Sequence, residues 1–448
     1  APPGLPRMDG VRVDGPVLMF VLALIVITGL LFGLAPAWHA SRGDVTPALN
    51  EGARGSTAGT GHRTRRLLIV SEVALALMLL IGGGLLLRTF VELQRVNLGI
   101  DPSHVLTGTV QPPRVKYDTL EKGVALYDRL LEGAAGLPGV QTAALSSIIP
   151  LSGGDSDMGF AIEGRPPAEN RDQEPVTWYR LVSADYFRAM GITIRSGRGF
   201  TPHQAEPTVV INETLARRYW PGINPIGKRV KLSRDGPWFT ISGTVNDVKV
   251  RGAQAENRAE MYVPYWQMPE PGISLVLKTS VDPESLAGPM REMVRQIDPD
   301  LPVSEIASMD ALVSDSVAEP RFFASLVGVF AVLAVVLAAV GIYGVMSYLV
   351  AQRTGEIGVR LALGAAEQQI FRLVLGDSLR LTAIGLALGV AGALAIGRIL
   401  RQLLFGVTPA DPLTFALTVA TLLVVAVAAT YLPARRAMRT DPIGALRQ

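Results

Sequence analysis

Residues 322–348 carry no charged side chain, and the run exceeds the roughly 20 apolar residues that cross a ~30 Å hydrocarbon core. In lipid such a segment must be helical, because a helix satisfies its own backbone N–H and C=O groups. Residues 17–38 and 412–432 have the same character, as do 67–87, interrupted only by Glu72. Residues 370–396 join them with charges confined to the first turns, at Arg372, Asp377 and Arg380. Five spans are therefore expected.

The 448 residues are 49% hydrophobic and 18% charged, too apolar for soluble domains alone, so the sequence describes an integral membrane protein with a large soluble part. The net charge of +3 comes from arginines near the apolar runs and forms no stripe, so no nucleic-acid partner is expected and membrane lipid is. The absence of cysteine excludes disulfides, thiolate catalysis and cysteine-ligated metals. No basic region and cleavage site precede the first apolar run, so no signal peptide is expected.

Glu72 has two readings: a helix-end carboxylate snorkelling toward the interface beside Arg65 and Arg66, which is favoured, or a buried interhelical pair. Asp377 and Arg380 lie three apart and could pair on one helix face. Gly385, Gly389 and Gly392 would let a neighbouring helix come close.

Residues 88–320 contain no further spanning run. Short alternating apolar segments separated by Gly, Pro, Asn and Asp give an α+β fold for this soluble part. A strand, helix, strand order is expected at 105–110, 120–131 and 140–146, and again at 273–278, 284–297 and 303–307. Two βαβ halves meeting in one mixed α/β domain, with residues 151–272 inserted as a subdomain, account for the pattern. Inside the insertion, strands are expected at 177–182, 208–211, 239–245 and 261–264, with a helix at 213–220.

Charge places the loops. Arginines gather in the linker at 51–66, in residues 351–366 and in the tail, whereas the 404–411 turn has no Lys or Arg. The positive-inside rule makes the basic loops cytoplasmic and the soluble domain external.

No catalytic constellation emerges, so no enzyme activity is expected of the chain. The run from Gly222 to Arg229 approaches a phosphate-binding loop, but Arg229 replaces the required hydroxyl and Pro225 removes a donor, leaving a turn that feeds a strand. His39, His62, His104 and His203 lack metal or triad spacing, and Asp155 with Asp157 lacks the further ligands of a calcium loop.

In residues 351–366, Arg353, Glu356 and Arg360 recur three and four apart, while Ile357 and Leu361 recur on a neighbouring face, which describes a short amphipathic helix. Gly355, Gly358 and Gly364 lower its helix propensity but let another surface approach, so partner docking is expected rather than simple solvation.

The run from Gln352 through Glu356-Ile357-Gly358-Val359-Arg360 to Ala365, with Tyr431-Leu432-Pro433-Ala434-Arg435-Arg436-Ala437, resembles the FtsX-like permease domain of MacB-type ABC transporters. Residues 88–320 resemble the MacB-like periplasmic core domain. The stretch Pro36 to Asp44 aligns without gaps on Pro433 to Asp441, as in duplicated orphan permeases, so residues 1–50 are expected to end a preceding FtsX-like half. The domain order is then that helix, the linker 51–66, a transmembrane helix at 67–87, the periplasmic domain at 88–320 and a permease domain at 321–448.

The resemblance implies a bacterial inner-membrane permease that binds no cofactor itself. A cytoplasmic ABC ATPase dimer uses the ATP and docks through Arg353, Glu356, Ile357, Arg360 and Leu361. The coupling is called mechanotransmission and serves efflux or cell-envelope export. A first permease half or a second copy would complete the assembly, and a periplasmic adaptor is a possible further partner. Two departures stand out: the 448 residues include no ATPase domain, so an ATPase is expected in trans, and Gly355 sits where the family often has a second basic residue. The alternative reading is a transmembrane signalling regulator of a cell-envelope hydrolase.

Overall fold

The structure is a computed structural model that describes residues 14–23, 25–26, 58–166, 174–233, 235–268, 272–352, 359–360, 363, 366–401 and 404–438. It divides into two compact units, Val91–Glu319 and the combination of Ala1–Phe90 with Pro320–Gln448. Helix α1 (Ala58–Gln94) leads the chain into the first of these.

That soluble unit interleaves its two βαβ elements. The first is β1 (Val105–Val110), α2 (Leu120–Ala135) and β2 (Val140–Ser146). The inserted residues then give β3 (Asp157–Gly159), β4 (Ala161–Ile162), β5 (Val176–Val182), a single turn α3 (Tyr186–Ala189) and β6 (Ile194–Gly197). They continue with β7 (Thr208–Asn212), α4 (Glu213–Tyr219), β8 (Arg229–Lys231), β9 (Trp238–Val245) and β10 (Glu260–Pro264). The second βαβ element is β11 (Ile273–Thr279), α5 (Ala287–Ile297) and β12 (Val303–Ser308), followed by α6 (Met309–Ser316).

Strands run in the order β12-β1-β11-β2, all antiparallel, so each βαβ element places its second strand across one strand of the other. This is the ferredoxin-like split βαβ arrangement. The register sets Val105 opposite Lys278 and Val110 opposite Ile273, and buries β11 from Ile273 to Leu277.

Sequence chemistry explains the helices. Thr119 caps α2 by accepting from the Lys122 N–H at 3.4 Å, and Glu121 lies in the first turn where the helix dipole favours an anion. Leu126, Leu130 and Ala134 recur four apart on its buried face, and each buried leucine contributes roughly 1.5–3 kcal/mol. The helix expected at 284–297 starts with a 3-10 turn (Pro283–Leu286), whose Asp282 accepts from the Glu284 N–H at 3.3 Å. Only from Ala287 is it α-helical.

The insertion extends the same sheet in the order β5-β10-β7-β9-β8-β4. β2 and β5 share one aligned pair, Ser146 with Val182. Around it, hydroxyl groups take the place of missing ladder partners: Ser147 Oγ accepts from the Leu181 N–H at 3.0 Å and Ser183 Oγ from the Leu145 N–H at 2.9 Å. The Gly222–Arg229 segment is a turn with Gly222 at φ 72° and Gly227 at φ 81°, feeding β8. Asp155 is held by Arg251 at 2.6 Å and Arg258 at 2.7 Å.

Behind that joint lies a buried ion pair. Arg180 on β5 donates to Glu260 Oε1 on β10 at 3.2 Å and to the Ile148 carbonyl at 3.1 Å, and Tyr262 donates to Glu260 Oε2 at 2.9 Å. Arg180 is 4% exposed and Glu260 1%. Burial pushes the Glu260 carboxyl up, and the Arg180 guanidinium opposes it. Losing one partner leaves a buried charge uncompensated, so Arg180→Met is expected to cost about 3–5 kcal/mol. Adding Glu260→Gln should recover most of that. Four of the five tryptophans (Trp178, Trp220, Trp238, Trp266) lie in this unit, so thermal unfolding followed by tryptophan fluorescence reads the effect.

The other unit holds α7 (Ala318–Gln352), α8 (Glu367–Leu400) and α9 (Pro412–Met438) with most of α1. Four described helices are long and apolar enough to cross a membrane. The expected first span, 17–38, is helical over 15–23 and 25–26, and its remainder lies outside the described residues. Of the aligned repeat, 36–44 and 439–441 lie outside them too.

Candidate coupling site and its helical framework

α1 is the centre of the membrane unit. Of its most apolar segment 44% is buried, against 17% for α7 and 28% for α8 and α9. Ile69, Val73, Leu77, Ile81 and Leu85 repeat every four residues and meet Ala338 and Ile342 of α7, Leu386 of α8 and Leu422 of α9.

Between helices in lipid, close packing replaces the hydrophobic effect, and here glycine permits it. A Cβ at Gly385 would lie 2.8 Å from Val73 Cβ, and one at Gly389 2.9 Å from Leu77 Cβ and 3.0 Å from the Ala74 carbonyl. One at Gly392 would overlap the Met78 side chain. The three glycines anticipated as a close-approach face of α8 therefore lie against α1. Gly84 of α1 meets α9 in the same way, its missing Cβ 2.8 Å from Thr414 Cγ2.

Polar groups tie the same helices. The half-buried Glu72 carboxylate packs on α7 where Gly341 leaves room, and a Cβ there would overlap it. It touches a second helix there, and forms no ion pair among the described residues. Buried Ser378 of α8 and Thr430 of α9 share a 2.7 Å hydrogen bond. Asp411 accepts from the Thr414 N–H at 2.9 Å and its hydroxyl at 2.6 Å, capping α9, and pairs with Arg88 of α1. At the opposite end of α9, Arg436 donates to Tyr343 Oη of α7 at 3.2 Å.

The Arg88–Asp411 pair was not singled out by sequence reasoning. Its signal is present: Asp411-Pro412 is an N-cap followed by proline at the first helical position, and Arg88 is the first charge after the span. Nothing in the sequence says that the two meet.

The basic stretch after α7 is rooted in this framework. Buried Ile370 and Val374 of α8 pack on Ala434 of α9, with Val350 and Phe371 beside them, so the helices on both sides of the stretch share one apolar cluster. Within the stretch the Leu363 N–H donates to the Val359 carbonyl at 3.0 Å, a helical turn. Arg360 is exposed there, with Val359 at 42% and Leu363 at 83%. Arg353, Glu356, Ile357 and Leu361 lie outside the described residues. Asp377 is half-buried on α8 and Arg380 exposed.

The FtsX-like permease C-terminal family matches residues 328–442, and the MacB-like periplasmic core domain family matches residues 68–293, half of the chain. A macrolide export ATP-binding/permease protein MacB 1 of Yersinia pestis is 30% identical over 281 residues, covering 59% of this chain and 42% of that protein. The macrolide export ATP-binding/permease protein MacB of Acinetobacter baylyi is 25% identical over 299 residues, covering 62% and 43%. The chain thus spans less than half the length of these relatives. The solved periplasmic region of MacB from Actinobacillus actinomycetemcomitans aligns at 15% identity and a TM-score of 0.34, over 48% of this chain and 92% of that one.

The glycine seam yields an expectation. Gly389→Leu places a side chain against the α1 backbone and should lower the thermal stability of the detergent-solubilised chain by several degrees, on the order of the 1–3 kcal/mol of overpacking. Gly376→Leu, on the same helix with nothing within 4 Å of its Cβ, should leave it unchanged. Fluorescence-detected size exclusion after heating compares them.

Proposed function

Because this chain belongs to the MacB/FtsX-type ABC transporter permeases, we propose that it is a permease subunit coupling a separate cytoplasmic ATPase dimer to its periplasmic domain by mechanotransmission. The transport is efflux or cell-envelope export. Macrolide export, in the names of the relatives, is the first process to assay. ATP is used by the partner, and this chain binds no cofactor of its own. It works in the bacterial inner membrane, with a first permease half or a second copy completing the bundle and a periplasmic adaptor as a further partner.

The observation that carries the reading is the exposure of Val359, Arg360 and Leu363 between α7 and α8. Val359 and Leu363 turn apolar side chains to solvent beside the exposed Arg360, a mixed surface that a partner with an apolar hollow would cover. Its neighbouring helices are clamped in one cluster at Ile370, Val374 and Ala434, so force applied at the turn reaches α8 and α9 with little slack. From there the glycine seam hands it to α1, and α1 runs on to Gln94, past the boundary of the soluble unit at Val91.

Charge reversal tests the docking. Glu356→Arg combined with Arg360→Glu should reduce co-purification of the ATPase about 10-fold or more, since reversed charges both lose their partners and repel them. Undiminished co-purification, with tryptophan fluorescence showing a folded outer unit, rules out docking through this stretch.

A further inference from the structure

The soluble unit contains a cleft of about 310 Å³ at the start of α2, within the size range of small-molecule sites. Its lining includes Arg114, Tyr117, Asp118, Gly123, Tyr127 and Tyr265. Three aromatic rings in one small cleft make it apolar and flat-walled, and Tyr127 and Tyr265 meet edge to face at 5.8 Å and 76°.

Two of the three phenol ends are held by carboxylates outside the lining. Tyr117 donates to Asp298 Oδ2 at 2.5 Å, and Tyr265 donates to Asp128, and neither carboxylate lines the cleft. Burial and those carboxylates push both phenols up, so they stay neutral donors. What a ligand meets is ring surface held in place.

The lining carries two charged side chains, Arg114 and Asp118. Asp118 is paired with Lys122 at 2.7 Å, and Lys116 with Asp298 at 2.7 Å. Arg114 makes no ion pair among the described residues. With Asp118 already paired to Lys122, the unpaired guanidinium beside tyrosine rings matches a planar anion whose remainder is aromatic.

We infer that this cleft binds an aromatic anion of one or two rings, the rings seated among Tyr117, Tyr127 and Tyr265 and the carboxylate or sulfonate on Arg114. The inference is independent of the transport reading: a cargo, a regulator or a lipid-derived acid would be recognised by the same chemistry.

Gly123 gives a clean test. It lies on α2 in the cleft wall, and a Cβ there meets nothing within 4 Å, so Gly123→Leu fills the cavity without a clash and raises helix propensity. The probe is naphthoate, measured by equilibrium dialysis against the full chain in lipid nanodiscs, with empty nanodiscs subtracting partition into lipid. The wild-type chain should bind it above that background. Arg114→Glu and the neutral analogue naphthalenemethanol should each weaken binding about 10-fold or more. Gly123→Leu should abolish it while unfolding no earlier than wild type. Binding no greater than to empty nanodiscs, equal binding by Gly123→Leu, or equal binding of the neutral analogue would each overturn the assignment.

Discussion

Helices in a bilayer gain no hydrophobic energy by touching one another, so the contact of α8 with α1 rests on backbone proximity at Gly385, Gly389 and Gly392. Everything else in the membrane unit is arranged around that seam. α1 is the most buried helix because α8 meets it through glycine and α9 approaches it at Gly84. The hydrogen bonds then fix rotation: Ser378 to Thr430 joins α8 and α9, and Arg88 to Asp411 joins α1 to the cap of α9. Close backbone contacts and interhelical hydrogen bonds leave such a unit little slack.

The soluble unit solves a different problem. Its interleaved βαβ elements bring strands from both ends of the domain side by side, as β1 and β11 do from Val105 opposite Lys278 to Val110 opposite Ile273. The chain enters the unit from α1 and leaves it into α7. The inserted residues lengthen that sheet beyond β2 through a narrow joint, which hydroxyls of Ser147 and Ser183 and the Arg180–Glu260 pair complete.

How much of this was legible follows from which forces act locally. Apolar length marked the four described spans, and two-residue alternation placed β1, β2, β7 and β9 within a residue of their observed ends. The short strands β3, β4 and β6 were missed because two to four residues carry too little pattern. Strand order was out of reach, since pairing depends on residues far apart in sequence. The split βαβ order therefore had to be seen. For the site, the glycine face of α8 was readable and its partner helix was not. Glu72 was visible as an intramembrane carboxylate, but only Gly341 opposite it reveals where it packs. Of the residues expected to dock a partner, Arg360 can be placed, and it is exposed.

The chain has no cysteine, so pairs of spin labels can be introduced without background. Labels at Leu363, 83% exposed beside Arg360, and at Val115, 93% exposed on the soluble unit, report on both ends of the proposed coupling. With the co-purified ATPase present, double electron–electron resonance should give different distance distributions for the nucleotide-free and ATP-trapped states. Identical distributions, with ATP bound and the complex intact, would contradict mechanical coupling through this chain.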